Sequence, residues 1–282
     1  PYSGTGAALS IVANRVSYVL DLRGLSMVID TACSSSLTAI ALACQRLRSG
    51  AADVALAGGV SLVLGPSLMV SFSKAGALSA DGRCKAFSDD ADGFVRSEGA
   101  GVVVLRRLED ALADSQQVLA VIEGVVSVQD GKTQGLMAPN QEAQVSVIRQ
   151  ACADAGISPD DLAYVEAHGT GTSIGDAIEL RALARATAGR AQDSPTLIGS
   201  LKSNIGHTEP AAGVLSLVKA VLALQHRVLP PSLHVRRPNP VIEQESLNVR
   251  VVTEATDLPG DAEQLREAHQ KSIYQLYLEI FG

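Results

Sequence analysis

One cysteine and two histidines stand where side chains of their type can do chemistry. Cys33 lies between an apolar run of strand character at residues 26–30 and a long apolar helical segment at residues 35–48. At a helix N-terminus, unpaired backbone N–H groups and the helix dipole favour the thiolate, the form that attacks a carbonyl carbon. The same N–H groups can bind the oxyanion formed in that attack. A free cysteine taken alone is more often a small core residue, so its significance depends on the histidines.

His168 lies in the run YVEAHGTGT (residues 164–172), and His207 ends the run GSLKSNIGH (residues 199–207). Each histidine follows a predicted strand, and the neighbouring glycines let a backbone and a bulky substrate approach the ring closely. A single such histidine is more often a hydrogen-bonded interior imidazole. Two such histidines together with a cysteine at a helix start are less easily explained by chance. We therefore predict that the three residues share one site.

Composition narrows the class of protein. The chain has 282 residues, of which 46% are hydrophobic and only 3% aromatic, so its core is expected to consist of small aliphatic side chains. A net charge of −7 without a basic run argues against nucleic acid as a partner. The cysteine spacing suggests no metal site, and neither a signal-peptide pattern nor an apolar run of membrane-spanning length is present. These patterns predict a cytoplasmic protein with reduced thiols and no membrane partner.

Strand-like and helix-like segments alternate along the chain, which predicts an α/β protein whose strands are buried on both faces. We expect strands at residues 26–30, 53–57, 101–105, 118–126, 163–167 and 196–200, and helices at residues 35–48, 142–155, 175–188 and 210–225. Residues 76–99 are expected to form a long ordered loop. The apolar helix after Cys33 has a counterpart after His207, and a pseudo-twofold between two βα halves would make these helix starts face each other.

Three motifs in order resemble one family. They are DTACSSS (residues 30–36), HGTGT (residues 168–172) and KSNIGH (residues 202–207), and they resemble the ketosynthase domains of modular type I polyketide synthases and related β-ketoacyl-carrier-protein synthases. The resemblance extends from about residue 4 to about residue 259 and includes GFVRSEG at residues 93–99. It implies the thiolase fold, an αβαβα layered sandwich of two pseudo-twofold related βα halves, in a homodimer.

The resemblance also implies roles for the site residues. Cys33 is then the nucleophile that accepts an acyl chain as a thioester, and His168 and His207 act on a malonyl-type extender. Decarboxylation of the extender leaves an enolate, and neutral imidazole N–H groups can stabilise its oxygen. The enolate carbon then attacks the Cys33 thioester. The implied activity is decarboxylative Claisen condensation in polyketide or fatty acid chain elongation.

Further residues enter only through this resemblance. Lys202 resembles a lysine that supports the His207 turn, although a lysine there can also be an ordinary surface charge. Glu179 resembles its ion-pair partner, with Asp176 nearby, and Thr170 and Thr172 resemble hydroxyls that contact the pantetheine arm of the substrate.

The resemblance also predicts organisation and partners. We expect residues 1–110 to be the remainder of the N-terminal half with the nucleophile, residues 111–260 the C-terminal half with both histidines, and residues 261–282 an atypical helical tail. The family's first strands and a Gly-Phe-Gly-Gly-type loop are not among these 282 residues, so the sandwich is expected to be incomplete. Substrates would arrive on the phosphopantetheine of an acyl carrier protein, with no metal or other cofactor. Neighbouring synthase domains, such as an acyltransferase, and a second copy are further expected partners.

Other interpretations explain less of the sequence. The run GTGTSIG (residues 169–175) follows a strand and opens a helix as a dinucleotide-binding fingerprint does, but its glycine spacing is one residue too long. No papain-like or caspase-like signature surrounds Cys33. The alternative function is a non-condensing ketosynthase-like fragment that binds acyl carriers or partner subunits. Retention of Cys33, His168 and His207 favours condensation.

Overall fold

The helices and strands come from a computed structural model that describes residues 2–133, 135 and 138–258. The tail predicted at residues 261–282 lies outside the described residues. The helices are α1 Ser3–Ala7, α2 Ser10–Val19, α3 Ser35–Arg48, α4 Ser67–Lys74, α5 Leu108–Ala113, α6 Gln141–Asp154, α7 Ser173–Ala186, α8 Lys202–Ile205, α9 Ala212–His226 and α10 Val241–Gln244. The strands are β1 Val54–Ser61, β2 Gly99–Arg106, β3 Tyr164–Glu166, β4 Thr196–Gly199, β5 Val228–Leu229, β6 Val249–Val251 and β7 Thr256–Asp257.

The described strands form three small sheets. β3, β4 and β6 are parallel with β4 in the centre, and Ile198 of β4 pairs with Val165 on one side and Val251 on the other. β1 and β2 form an antiparallel pair that runs from Val54 opposite Arg106 to Ser61 opposite Gly99, and β5 pairs antiparallel with β7. His168 follows β3 and Lys202 follows β4, so both residues lie at the carboxyl ends of neighbouring parallel strands.

The parallel sheet is covered by apolar side chains of α6 and α7. Ile148, Leu180 and Ile198 are among the buried members of this cluster. Asn140 ends the preceding loop, and its side chain accepts hydrogen bonds from the first backbone N–H groups of α6, which explains where that helix begins. Every residue of β3 and β4 is buried, so the prediction of strands buried on both faces holds for these two strands.

A second cluster joins α3 to α9 through Leu37, Ile40, Val214 and Leu217. The two helices approach closely at Gly213, where an added Cβ would lie 2.2 Å from Leu37 Cγ. The backbone N–H of Val214 also donates to Ser36 Oγ at 3.1 Å. The helix starts that follow Cys33 and His207 are thus packed against each other, as the similarity of the two apolar segments suggested.

Two predicted strands are wrong. Residues 26–30 and 118–126 are not in any ladder among the described residues, because apolar content without a neighbouring strand provides no hydrogen-bond partners. In the second segment, side chains satisfy some of the backbone groups: Val125 N–H donates to Asp154 Oδ2, and Arg48 donates to the carbonyl of Glu123. Helix α4, which lies just before the predicted loop, was also missing from the elements expected on sequence grounds.

The β1–β2 pair departs from the prediction in a different way. One face packs on α9, where Leu215 lies against Gly101, while Val60, Val102 and Val104 on the other face are exposed. Antiparallel strands tolerate such one-sided burial. α2 likewise contains no buried residue among those described. No helix in the described ranges is both long and apolar enough to cross a membrane.

Candidate active site

Cys33 sits in a single 3₁₀ turn, Ala32–Ser34, that leads directly into α3. Ala32 has a φ of +55°, in the left-handed region that side chains disfavour, so this turn is strained. Ser35 holds it, since its hydroxyl donates to the Ala32 carbonyl at 2.7 Å and accepts from the Thr31 N–H at 3.0 Å. Cys33 as a whole residue is partly exposed.

The electrostatic environment of Cys33 differs from the one expected at a helix start. Burial raises the pKa of the Cys33 thiol, the charge of Lys202 lowers it, and the charge of Glu209 raises it, with a net increase. The expected bias toward thiolate is therefore wrong for the resting site. Cys33 enters its chemistry as a thiol whose proton must leave during the reaction.

His207 lies directly beside the cysteine, with Nε2 at 3.1 Å from Cys33 Sγ. Its Nδ1 accepts a hydrogen bond from the backbone N–H of Glu209 at 3.1 Å, so Nδ1 carries no proton. Burial, followed by the charges of Lys202, His168 and Arg96, holds the pKa of His207 well below its usual range. We therefore assign a neutral ring with its proton on Nε2, pointing at the sulfur.

His168 completes the group that the sequence predicted. Its ring centroid lies 5.6 Å from that of His207, and the rings are nearly perpendicular at 88°. Burial and the charge of Lys202 hold the pKa of His168 well below its usual range, so this imidazole is also neutral. The structure thus places two neutral imidazoles next to each other, with the thiol beside one of them.

Lys202 is a buried residue and not the surface charge considered as an alternative. Its Nζ donates to the carbonyl of His168 at 2.6 Å, and burial lowers its pKa. The expected partner, Glu179, makes different contacts: its two carboxylate oxygens accept from the backbone N–H groups of His168 and Gly169 at 2.7 and 2.8 Å. The expected direct ion pair between Lys202 and Glu179 is not formed: the Lys202 ammonium binds the His168 carbonyl, and the Glu179 carboxylate binds backbone N–H groups of the same turn. Both side chains nevertheless fix the His168 turn.

Asp176 has a similar role near the start of α7. Its carboxylate accepts from the N–H groups of Phe87 at 2.7 Å and Gly171 at 3.1 Å, and burial raises its pKa to about 7. The hydroxyls of Thr170 and Thr172 lie 3.1 Å apart beside this turn. Substrate contacts of the two threonines stay a prediction.

Three residues that surround His207 had no role assigned to them on sequence grounds. Phe94 packs edge-on against its ring at 5.3 Å, and Arg96 forms an ion pair with Glu209, whose N–H binds Nδ1. Phe94 and Arg96 belong to the run GFVRSEG, which is part of the family resemblance. That run was the sequence signal from which a role near the site could have been predicted.

The other cysteines do not extend the site into a metal centre. All four cysteines are free. No group of three or more histidine, cysteine, aspartate or glutamate side chains within the described ranges is placed to hold a metal ion.

Comparison with known proteins agrees with this geometry. The family model of the β-ketoacyl synthase N-terminal domain matches residues 1–111, and that of the C-terminal domain matches residues 119–236. The first match contains Cys33 and Arg96, and the second contains both histidines. The predicted limits of the two halves are not tested by these matches and stay predictions.

Curated relatives are large polyketide synthases. A phenolphthiocerol/phthiocerol polyketide synthase of Mycobacterium tuberculosis is 54% identical over 260 residues, which is 92% of this chain and 14% of that protein. Pikromycin polyketide synthase component PikAII of Streptomyces venezuelae is 50% identical over 264 residues, which is 93% of this chain and 7% of that protein. The chain therefore spans a small fraction of the length of these relatives.

Solved ketosynthase structures have the same fold. The ketosynthase from module 6 of the bacillaene synthase of Bacillus subtilis 168 aligns with a TM-score of 0.88 at 44% identity, covering 92% of this chain and 46% of that one. The oxazolomycin ketosynthase domain of Streptomyces albus JA3453 aligns with a TM-score of 0.87 at 43% identity, covering 91% and 45%. The thiolase-like fold class predicted from the motifs is confirmed by these structures.

Proposed function

Because the chain belongs to the β-ketoacyl synthase family, we propose that it carries the condensing site of a polyketide synthase ketosynthase. The proposed reaction is the decarboxylative Claisen condensation of an acyl group on Cys33 with a malonyl-type extender. The observation that carries this proposal is the distance of 3.1 Å between His207 Nε2 and Cys33 Sγ, with His168 5.6 Å from His207 between ring centroids.

In the first half-reaction, Cys33 Sγ attacks the carbonyl carbon of an acyl thioester on a pantetheine arm. A bond forms between Sγ and the acyl carbon, the bond to the pantetheine sulfur breaks, and the thiol proton passes to the departing pantetheine thiolate. The Cys33 backbone N–H at the helix start is suited to bind the oxygen that becomes negative during this step.

In the second half-reaction, the thioester carbonyl oxygen of the extender accepts hydrogen bonds from the neutral imidazoles. The bond to the carboxylate breaks, carbon dioxide leaves, and the electron pair moves onto that oxygen as an enolate. His207 contributes its Nε2–H, which already points into the site, and neutral His168 contributes a second N–H. The buried ammonium of Lys202, bound to the His168 carbonyl, adds positive charge beside that histidine.

The enolate carbon then attacks the carbonyl carbon of the Cys33 thioester. A carbon–carbon bond forms, the Sγ–carbon bond breaks, and Cys33 leaves as a thiolate that takes up a proton again. The product is a β-ketoacyl chain on the carrier. No metal or soluble cofactor enters these steps, since the pantetheine arm belongs to the substrates.

The proposal includes partners. Acyl carrier protein and neighbouring synthase domains such as an acyltransferase are proposed because the relatives are components of polyketide synthases. Thr170 and Thr172 are proposed to contact the pantetheine arm beside the His168 turn. Assembly as a homodimer is proposed on the family resemblance.

The test is the intact mass of the chain after incubation with an acyl-pantetheine thioester. We expect an increase of one acyl group that disappears in Cys33→Ala and persists in Cys152→Ala, a matched control in which a buried cysteine outside the site is removed. His168→Ala and His207→Ala should retain loading but lose condensation with a malonyl-pantetheine thioester. A folded wild-type chain without an adduct, or an adduct that survives in Cys33→Ala, would contradict the proposal and favour the carrier-binding alternative.

A further inference from the structure

The backbone of His207 is held by the loop that contains Arg96. The N–H of His207 donates to the carbonyl of Val95 at 2.7 Å, and the N–H of Ser97 donates to the carbonyl of His207 at 2.9 Å. These two bonds form a parallel bridge between Arg96 and His207. The position of the His207 main chain is therefore tied to the loop, but these bonds do not determine which ring nitrogen carries the proton.

The Arg96 side chain binds Glu209, whose backbone N–H donates to His207 Nδ1 and so determines which ring nitrogen carries the proton. Its guanidinium forms two parallel hydrogen bonds with the Glu209 carboxylate, from Nε to Oε1 and from Nη2 to Oε2, the latter at 2.8 Å. The side chains are only 4% and 17% exposed, and the guanidinium carbon lies 5.6 Å from the centre of the Phe72 ring. A planar bidentate pair of this kind fixes orientation as well as distance.

Glu209 needs such restraint because its backbone is strained. Its φ is +45°, in the left-handed region that is unfavourable for a residue with a Cβ. Such conformations cost on the order of 1–3 kcal/mol and persist only where the surroundings enforce them. Here the residue begins the 3₁₀ turn Glu209–Ala211, and its N–H points at His207 Nδ1 at 3.1 Å.

From these contacts we infer that Arg96 and Glu209 are positioning residues that fix the Nε2–H tautomer of His207 and direct that N–H toward Cys33. The ion pair holds Glu209 in its strained conformation, the strained conformation places the N–H on Nδ1, and the occupied Nδ1 leaves the proton on Nε2. The catalytic consequence rests on the proposed function, whereas the tautomer itself does not.

A purely structural ion pair would behave differently. A buried ion pair is weak evidence for stability, and its removal changes stability without any necessary effect on one imidazole. The decisive readout is therefore the protonation of the two His207 ring nitrogens, observed by long-range ¹H–¹⁵N correlation of the 282-residue chain. The resonances are assigned by their loss in His207→Gln.

The variants are Arg96→Met, which removes both hydrogen bonds, and Arg96→Lys, which keeps the charge. Arg181→Met is the matched control, because Arg181 of α7 forms a similar but more exposed pair with Glu245. We expect the wild type and Arg181→Met to show an unprotonated Nδ1 and a protonated Nε2. Arg96→Met should shift both resonances toward a mixture of tautomers, and Arg96→Lys should lie between them.

Activity gives a second readout. Condensation by Arg96→Met should fall roughly ten- to hundredfold, since displacement of a preorganised donor costs rate in this range, while acyl loading of Cys33 should stay within about twofold of wild type because loading does not use the His207 proton. An unchanged ¹⁵N spectrum in Arg96→Met overturns the inference.

If Arg96→Met does not fold, the same ¹H–¹⁵N correlation spectrum is recorded for Glu209→Gln and Arg96→Lys. Wild-type His207 resonances in both variants overturn the inference. A wild-type chain that never condenses refutes the proposed function, while the tautomer measurement still decides this inference separately.

Discussion

The contact between α3 and α9 permits a quantitative test of how the site is assembled. At Gly213 an added Cβ would lie 2.2 Å from Leu37 Cγ and 2.8 and 2.9 Å from its two methyl carbons, whereas ordinary contact distances are 3.4–4 Å. Gly213→Ala therefore requires the helices to separate by about 1.2–1.8 Å, or Leu37 to leave its position. Overpacking of this kind costs about 1–3 kcal/mol, although alanine in an open helix position gains up to about 1 kcal/mol over glycine.

The separation should also affect chemistry, because Cys33 and His207 stand at the starts of the two helices. Their 3.1 Å contact would be lost if the whole displacement reached the site. A misplacement of about 1 Å can lower the rate about a hundredfold. We therefore expect Gly213→Ala to lower the midpoint of urea unfolding and to slow condensation more strongly than it slows acyl loading.

The assay combines urea unfolding with the mass and condensation measurements. Gly6→Ala is the control, since an added Cβ on that α1 residue meets no atom within 4 Å. Leu37→Ala should cost about 2–5 kcal/mol alone but should relieve some of the conflict in the double variant. Wild-type stability and rates in Gly213→Ala, or strictly additive free energies in the double-mutant cycle, would refute the reasoning.

Three further predictions concern buried charges. Lys202→Met removes the charge that lowers the pKa of Cys33, so alkylation of Cys33 by iodoacetamide should require a higher pH. Glu166→Gln breaks a buried pair with Lys219, joined at 2.6 Å, and should cost about 3–5 kcal/mol of unfolding free energy in urea. Asp176 has a pKa of about 7 in the folded chain, compared with an ordinary value of 3.8. Its contribution to the free energy of unfolding is therefore present below pH 3.8 and is lost as the pH rises through 7. Urea unfolding of Asp176→Asn across that pH range should lack this fall in stability.

Two of these predictions have a control. Arg181→Met removes an exposed pair and should cost less than about 1 kcal/mol, in contrast to Glu166→Gln. Cys152 lies outside the site, and its alkylation profile should not respond to Lys202→Met. Equal costs for the two pairs, an unshifted alkylation profile, or a stability curve of Asp176→Asn parallel to wild type would each contradict the corresponding prediction.

Regular elements were predictable where the sequence pattern was sufficient. Residues 35–48 were predicted as a helix and form α3 with those bounds, and residues 196–200 were predicted as a strand and form β4 within one residue. The failures at residues 26–30 and 118–126 have one cause: an apolar pattern indicates burial, whereas a strand also needs a partner, which a single segment does not specify.

Some features of the candidate site were likewise predictable from the sequence, and others depend on the folded structure. The proximity of Cys33 and His207, 174 positions apart, followed from the similarity of their two helix starts, but the state of the thiol did not, because it depends on burial. The pairing of Arg96 with Glu209 depends on a left-handed backbone at a residue with a Cβ. Local propensity disfavours that conformation, so only the folded structure reveals it.

The ion pair between Arg96 and Glu209 also matters for recombination of related synthases. It crosses the joint between the two family models, which end and resume at residues 111 and 119. A chimera joined there takes Cys33 and Arg96 from one parent and His207 and Glu209 from the other. Compatibility of the parents then depends on whether both halves of this pair are inherited, so parents that differ at these two positions should give hybrids that load acyl groups but condense poorly.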